Sequence, residues 1–190
     1  MNDIYDLTAV IPMHNFPWHE IMPAIDISRK TPTHFYGHPK DSPLLGKDVF
    51  LTNPKDWKTA WYMLGEEEHW TRSINVVYFP LLVDWISKLN IFKGIGRIVI
   101  LIQDPNKFTP PHIDMDITRA PVEYQKPIEF IWITPPVNGK QLFVNDNPAP
   151  YVCWFNSYAI HRTEPKDAIT WSLRIDGKFT DQFKQNLLVL

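Results

Sequence analysis

The chain has 190 residues, of which 44% are hydrophobic and 21% charged, and its formal net charge is −2. This length and composition predict one buried core and exclude a disordered protein, while the near-neutral charge gives no electrostatic reason to expect nucleic acid or an anionic membrane as a partner. No apolar run reaches the ~18 residues of a membrane span, and MNDIYDLTAV lacks the pattern of a secretory signal, so we expect a cytoplasmic protein.

The first 95 residues have a mixed, partly helical character. Three short segments predict helices: PWHEIMPAI (17–25), NPKDWKTAWYML (53–64) and FPLLVDWISKLN (79–90). In the second segment, Asn53 suits an N-cap and Pro54 the first helical position. The third repeats apolar residues at a helical period.

After Gly94 and Gly96 the chain becomes rich in strand signals. Five segments predict strands: RIVILIQ (97–103), PIEFIWIT (127–134), KQLFVND (140–146), PYVCWFNSY (150–158) and AITWSLRIDG (168–177). Turn signals at Asn138–Gly139 and Asn147–Pro148 separate the middle segments. We therefore predict one domain, 1–190, in which a helical or mixed half (1–95) packs against a β-rich sandwich or barrel (96–190).

Cys153 is the only cysteine, which excludes a disulfide within the chain. Its setting, YVCWF, is typical of a buried strand. Because a reactive thiol requires an exposed, electropositive setting, we predict that Cys153 is an inert core residue.

The segment TPPHIDMDITRAP (109–121) contains the first candidate site. In an extended segment, His112 and Asp114 point to the same side and could bind one ion. They would supply two of the three ligands of a facial triad, in which two histidines and one carboxylate leave three positions of an iron open. His161, the one histidine further along the chain, could supply the third. The alternative is a solvated loop, and for Asp116 we expect a solvated or ligand-orienting role.

Arg174 is the second candidate. It lies 13 residues after His161, on the polar face of an alternating strand. If Arg174 is exposed, it needs no partner. If it faces into a barrel, its guanidinium would require an anion, and a carboxylate is its natural bidentate partner. Gln103 could hydrogen-bond a ligand or could simply be a satisfied buried amide.

These residues carry a resemblance to a known family. The order His112, Asp114, His161, Arg174 resembles the signature of the iron(II)- and 2-oxoglutarate-dependent oxygenases. RIVILIQDPNKFTPPHID and NSYAIHRTEPKDAITWSLRID are similar to the corresponding segments of the aspartyl/asparaginyl β-hydroxylase-like branch. The resemblance spans roughly 97–180, and Asp176 stands where the family often has Ser.

The resemblance implies a mainly β fold, a double-stranded β-helix (a cupin-like jelly roll) with flanking N-terminal α-helices. It implies Fe(II) bound by His112, Asp114 and His161, with 2-oxoglutarate and O₂ as cosubstrates. Arg174 would hold the far carboxylate of 2-oxoglutarate, with Ser172 or Thr170 adding a hydroxyl. The implied reaction is hydroxylation of a small molecule or peptide, with an amino-acid side chain as the suggested target, coupled to decarboxylation of 2-oxoglutarate to succinate.

Two other classes fit the same residues. A cupin-like module could bind metal or ligand on the same barrel without redox chemistry. A structural β-sandwich would bind no metal at all. Metal analysis would separate the structural β-sandwich from the two metal-binding classes. The visible band of an iron–2-oxo acid chelate would separate the oxygenase from the cupin-like module.

Overall fold

The computed structural model describes residues 3–30, 48–56, 63–114, 122 and 126–189, with the side chains of 29, 30, 188 and 189 excepted. The α-helices in this part of the chain are α1 (Trp18–Lys30), α2 (Pro80–Ser87) and α3 (Asp181–Val189), and three short 3-10 helices lie at Met13–Asn15, Glu67–His69 and Ile74–Tyr78. The strands are β1 (Ile4–Asp6), β2 (Val49–Phe50), β3 (Thr52–Pro54), β4 (Trp70–Arg72), β5 (Phe92–Gln103), β6 (Phe130–Ile133), β7 (Leu142–Val144), β8 (Asn147–Pro148), β9 (Val152–Phe155), β10 (His161–Thr163) and β11 (Thr170–Phe179).

Two of the three predicted helices are confirmed, as α1 and α2. The helix predicted to begin at Asn53 is wrong at its start. Thr52–Pro54 instead forms β3, with Asn53 opposite Thr71 and Pro54 opposite Trp70. Pairing with β4 overrides the local capping signal, and a proline is tolerated because β3 is an edge strand. Residues 57–62 of that prediction lie outside the described residues.

The larger sheet has six strands in the order β1-β9-β6-β11-β5-β2, and all their pairings are antiparallel. Its longest pairing joins β11 to β5, the two strands with the clearest β-branched or alternating patterns. Arg174 of β11 lies between Val99 of β5 and Trp132 of β6. Because side chains alternate along a strand, one face of β11 presents Thr170, Ser172, Arg174 and Asp176.

The smaller sheet is the antiparallel set β10-β7-β8. The turn between β7 and β8 lies at Asn145–Asp146, whose φ angles are 47° and 62°, so the turn predicted at Asn147–Pro148 is wrong. The bend predicted at Asn138–Gly139 is confirmed by the positive φ of Asn138, 58°. A Cβ at Gly139 would lie 2.1 Å from the Pro135 carbonyl oxygen, so this close approach requires glycine.

The N-terminal part packs against the face of β11 that presents Trp171. The rings of Trp18 and Trp171 lie 6.0 Å apart. Glu20 of α1 accepts the Leu81 and Leu82 N–H groups at 2.9 and 2.8 Å, at the N-terminus of α2 where a carboxylate is favoured. These contacts leave the opposite, polar face of β11 to the candidate site.

The described fold is thus mainly β, with few helices and antiparallel sheets, as the sequence predicts. Cys153 is completely buried in β9, which confirms its predicted core position. None of the described helices combines the length and apolar character needed to cross a bilayer.

Candidate metal centre

The backbone around His112 and His161 brings the two rings together. The segment 109–114 follows β5 and runs antiparallel to β10. The His112 N–H donates to the His161 carbonyl at 3.0 Å, and the His161 N–H donates back to the His112 carbonyl at 2.9 Å. Asp114 is fixed further along by its N–H, which donates to the Ser157 carbonyl at 3.1 Å. Backbone hydrogen bonds therefore hold His112 and Asp114 beside His161, which follows them by 49 and 47 positions in the chain.

Both imidazoles direct the same nitrogen toward the site. The Nδ1 of His112 lies 2.9 Å from the Pro110 carbonyl oxygen, and the Nδ1 of His161 lies 3.0 Å from that of Ala159. Because a carbonyl only accepts hydrogen bonds, we assign the proton of each neutral ring to Nδ1. This leaves both Nε2 lone pairs free to bind a cation, the arrangement usual for metal-bound histidines.

The ligand atoms of the three residues converge on one point. Oδ1 of Asp114 lies 3.2 Å from Nε2 of His161 and 3.7 Å from Nε2 of His112. One ligand atom from each residue lies within 4.8 Å of the others. The side chain of His161 is 6% exposed, that of Asp114 19% and that of His112 39%, so the site is anchored in the interior and opens on the His112 side.

The electrostatics of the three residues favour a bound cation. Burial alone would raise the pKa of Asp114, but the charge of Arg174 and the closeness of the two imidazoles hold that pKa well below its ordinary value. The neighbouring Asp114 carboxylate, which would accept from a protonated ring, raises the pKa of His112. The carboxylate is therefore ionised at neutral pH, and a metal entering the site competes with a proton on His112.

Arg174 holds Asp114 in place. Its Nη1 donates to Oδ2 of Asp114, and its Nε donates to Oδ1 of Asp176 at 2.9 Å. Arg97 donates through Nε to the other oxygen of Asp176 at 2.8 Å. The guanidinium of Arg174 also lies 4.0 Å from the centre of the Phe130 ring. Asp176 is thus a buried bridge between two arginines, a role that the sequence did not predict.

A pocket of about 170 Å³ opens beside the three residues. An engineered cavity of about 150 Å³ holds a molecule the size of benzene, so this space suits a small organic ligand. Both sheets contribute to its wall. The polar and charged lining includes Arg97, His112, Asp114, Lys140, His161 and Arg174, and the apolar lining includes Phe50, Leu64, Leu101, Trp132 and Leu142.

Three buried polar groups on the same face of β11 lack a hydrogen-bond partner within the described residues. They are Oγ1 of Thr170, Oγ of Ser172 and Nη2 of Arg174. An unsatisfied buried polar group costs about 1–3 kcal/mol, so these three need water or a polar ligand as a partner that the described residues do not supply. Each can donate a hydrogen bond, which suits a ligand rich in oxygen acceptors.

Gln103 differs from these three groups. Its Nε2 donates to the Glu164 carbonyl at 2.7 Å, and its Oε1 accepts from Oγ1 of Thr163 at 2.6 Å. The described residues that line the pocket do not include it. The side chain of Gln103 therefore links β5 to residues 163 and 164 by hydrogen bonds. This is the role of a satisfied buried amide, which the sequence analysis gave as the alternative to ligand binding.

The charged pocket residues that were not identified from the sequence include Lys140, Asp48 and Arg162. Lys140 follows the Asn138–Gly139 bend and alternates with Leu142 and Val144, a pattern that places it on a buried face. Asp48 is part of no motif, and only the tertiary structure brings it to the pocket. Asp116 lies outside the described residues.

Comparison with known proteins gives a weak likeness only. No protein-family model matches the chain, and no curated protein matches it significantly. Among solved structures, a prolyl-4-hydroxylase from Pseudomonas putida superposes with a TM-score of 0.41 at 14% identity, over 87% of this chain and 88% of that one. At such values the likeness decides nothing about function. The protein is thus a mainly β protein with a candidate His–Asp–His metal centre.

Proposed function

We propose that the chain is a non-haem Fe(II)- and 2-oxoglutarate-dependent dioxygenase that hydroxylates its substrate. The proposal is carried by the convergence of His112, Asp114 and His161, with both free Nε2 atoms and one carboxylate oxygen directed at the same point. Two histidines and one carboxylate are the facial ligand set of non-haem iron oxygenases.

The residues present fit such a metal. Neutral imidazole and ionised carboxylate suit a borderline divalent cation, and three protein ligands leave positions for a chelating 2-oxo acid and O₂. When bound, iron with 2-oxoglutarate and O₂ supplies the oxidising chemistry, yielding succinate, CO₂ and a hydroxylated product. The donors of Thr170, Ser172 and Arg174 that lack partners would satisfy ligand oxygens.

The residues around the triad fix the orientation of the metal ligands and keep the Asp114 carboxylate ionised. Arg174 holds the Asp114 carboxylate ionised and fixed, and Asp176 with Arg97 fixes Arg174 in turn. The carbonyls of Pro110 and Ala159 fix the ring orientations. Preorganisation of this kind matters because ligands displaced by fractions of an ångström bind a metal poorly.

The charges around the pocket favour a dianionic ligand once a divalent metal is bound. Four cations line it: Arg97, Lys140, Arg162 and Arg174. Arg162 forms ion pairs with Asp146 and Glu164, outside the group that faces the candidate metal ligands. The formal charges of the other three cations are cancelled by the carboxylates of Asp48, Asp114 and Asp176. A divalent cation would leave an excess of two positive charges in a partly buried site, and a dicarboxylate such as 2-oxoglutarate would neutralise them.

We further propose that residues 1–190 form one domain with a jelly-roll core. In support, successive segments alternate between the sheets: β5 in the large sheet, 109–114 beside the small one, β6 in the large, β7 and β8 in the small, then β9, β10 and β11 in alternation. The substrate class follows from the sequence resemblance and is an amino-acid side chain, free or in a peptide.

The proposal is tested by turnover of 2-oxoglutarate. Purified protein with Fe(II) and O₂ should form succinate slowly without substrate, and His112→Ala and Asp114→Ala should abolish it. His14→Ala, at an exposed residue outside the site, is the matched control. Triad variants that keep wild-type turnover would refute the assignment. A metal-loaded protein that forms no visible chelate band with saturating 2-oxoglutarate under anaerobic conditions would instead indicate a binding module without redox activity.

A further inference from the structure

We propose that Lys140, together with the hydroxyl groups of Thr170 and Ser172, binds the far carboxylate of the 2-oxo acid. Arg174 would then act on the metal ligand Asp114. This inference rests on the proposed function, and it differs from the role for Arg174 that the sequence resemblance implies. It assigns a ligand-binding residue that lies outside the motif.

The backbone places Lys140 beside the two hydroxyls. Its N–H donates to the Trp171 carbonyl at 3.3 Å, and the Trp171 N–H donates to the Asn138 carbonyl at 3.3 Å. The segment 138–140 therefore runs alongside β11 at the residue that separates Thr170 from Ser172.

The Lys140 side chain also faces the metal centre. In the strand that follows, Leu142 lies opposite Thr163 and Val144 opposite His161. Residues directly opposite each other in an antiparallel pair point to the same side of the sheet, and residues two apart in a strand share a face. Lys140 lines the same pocket as His112, Asp114 and His161.

The Lys140 ammonium is buried without full compensation. The residue is 3% exposed, and the neighbouring charge that acts on its ammonium is that of Asp48. Burial lowers the pKa of Lys140 to about 8, which the nearby charge of Asp48 offsets only in part. A lysine in such a place normally has an anionic partner, because burying an unpaired charge is costly. A ligand carboxylate would be that partner.

Arg174 is less suited to hold a second carboxylate. Two carboxylates, Asp114 and Asp176, already accept hydrogen bonds from its Nη1 and Nε. Only Nη2 remains, so it can add one hydrogen bond to a ligand but cannot form the bidentate pair that makes arginine a strong carboxylate anchor.

The test compares two 2-oxo acids that share a chelating head. 2-Oxoglutarate has a far carboxylate and 2-oxobutyrate does not. Each is titrated under anaerobic conditions into protein loaded with Fe(II), and the visible chelate band gives the dissociation constant. The wild type should bind 2-oxoglutarate about tenfold or more tightly than 2-oxobutyrate, the size expected for one charge-assisted contact.

Lys140→Met should remove this preference by weakening 2-oxoglutarate about tenfold while leaving 2-oxobutyrate unchanged. Lys140→Arg should retain part of the preference, and Lys88→Met, at the exposed lysine that directly follows α2, should retain all of it. Equal preference in Lys140→Met and wild type would overturn the inference and leave the proposed function standing, since the chelate still forms. If the wild type forms no chelate with either acid, the proposed function fails, and the inference fails with it.

Discussion

His112 and His161 exchange backbone hydrogen bonds in both directions, at 3.0 and 2.9 Å, and their ring centres lie 4.2 Å apart. The register of one strand pairing thus decides whether a metal site exists. A slip of one residue would turn one imidazole to the other face of the pair, because successive side chains alternate. Thr109 and Thr163 help to hold that register: the Thr163 N–H donates to the Thr109 carbonyl at 3.1 Å, and Oγ1 of Thr163 accepts the Thr109 N–H at 2.8 Å.

Replacing the carboxylate ligand should weaken metal binding. Asp114→Asn keeps the shape of the side chain but removes its negative charge, so the site loses its only anionic ligand among the three converging residues. Losing even a residue that merely orients a ligand typically costs 10–100-fold in metal affinity, so we expect a loss of at least about 100-fold. Anaerobic titration with Fe(II) or Co(II) measures it. Asp84→Asn, in an exposed pair on α2, is the control, and equal affinity in Asp114→Asn and wild type would contradict the site.

Arg174 should contribute strongly to stability as well as to the site. Its side chain is 4% exposed, and Arg174→Met would leave Asp114 and Asp176 without one of their partners. Breaking a buried pair in this way costs about 3–5 kcal/mol of unfolding free energy, whereas an exposed pair contributes about 0–1 kcal/mol.

Urea unfolding of metal-free protein measures the effect of Arg174→Met. Lys93→Met, which removes the exposed pair with Asp181, is the comparison. Adding Asp176→Asn to Arg174→Met should recover part of the loss, because it removes a carboxylate left without its full set of donors. The account is wrong if Arg174→Met costs no more than Lys93→Met.

Stability should depend on pH through Lys140. Burial lowers its folded-state pKa to about 8, below the ordinary value of 10.5. Between these values the unfolded chain binds the proton and the folded chain does not, so stability rises with pH across that window. A shift of this size corresponds to a rise on the order of 3 kcal/mol.

The measurement is the difference in unfolding free energy between wild type and Lys140→Met, without metal, from pH 7 to pH 10.5. Other titrating groups cancel in this difference. We expect the unfolding free energy of the wild type to rise relative to that of Lys140→Met as the pH increases above 8. A difference that is flat across the range would show that the Lys140 ammonium is not desolvated.

Much of the fold was predictable because the strands that form the core have local patterns. The alternation of residues 168–177 appears in β11, and the apolar run 97–103 lies within β5. The order of His112, Asp114 and His161 could be read along the chain, although only the pairing of 109–114 with β10 brings them together.

The sequence was insufficient where a partner distant in the chain decides the outcome. Asn53 and Pro54 have the local pattern of a helix start, yet pairing with β4 makes them a strand. Lys140 resembles an ordinary residue after a turn, and only the contact of 138–140 with Trp171 brings it to the pocket. The engagement of Arg174 by Asp114 and Asp176 likewise depends on the tertiary structure.

Cys153 should be unreactive in the folded protein. The residue is fully buried, and burial raises the pKa of its thiol, so the nucleophilic thiolate is scarce at neutral pH. A thiol-specific chromogenic reagent should therefore react within seconds in denaturant and only at the rate of unfolding in buffer. Rapid stoichiometric labelling of native protein would contradict the burial of β9.

The most direct test of the central claim is a crystal structure of protein grown anaerobically with Fe(II) and 2-oxoglutarate, with anomalous data collected at the iron edge. We predict one strong anomalous peak about 2.0–2.2 Å from Nε2 of His112, Nε2 of His161 and a carboxylate oxygen of Asp114, the range of first-row metal–ligand bonds. A peak elsewhere, or none at these residues in crystals saturated with iron, would contradict the account.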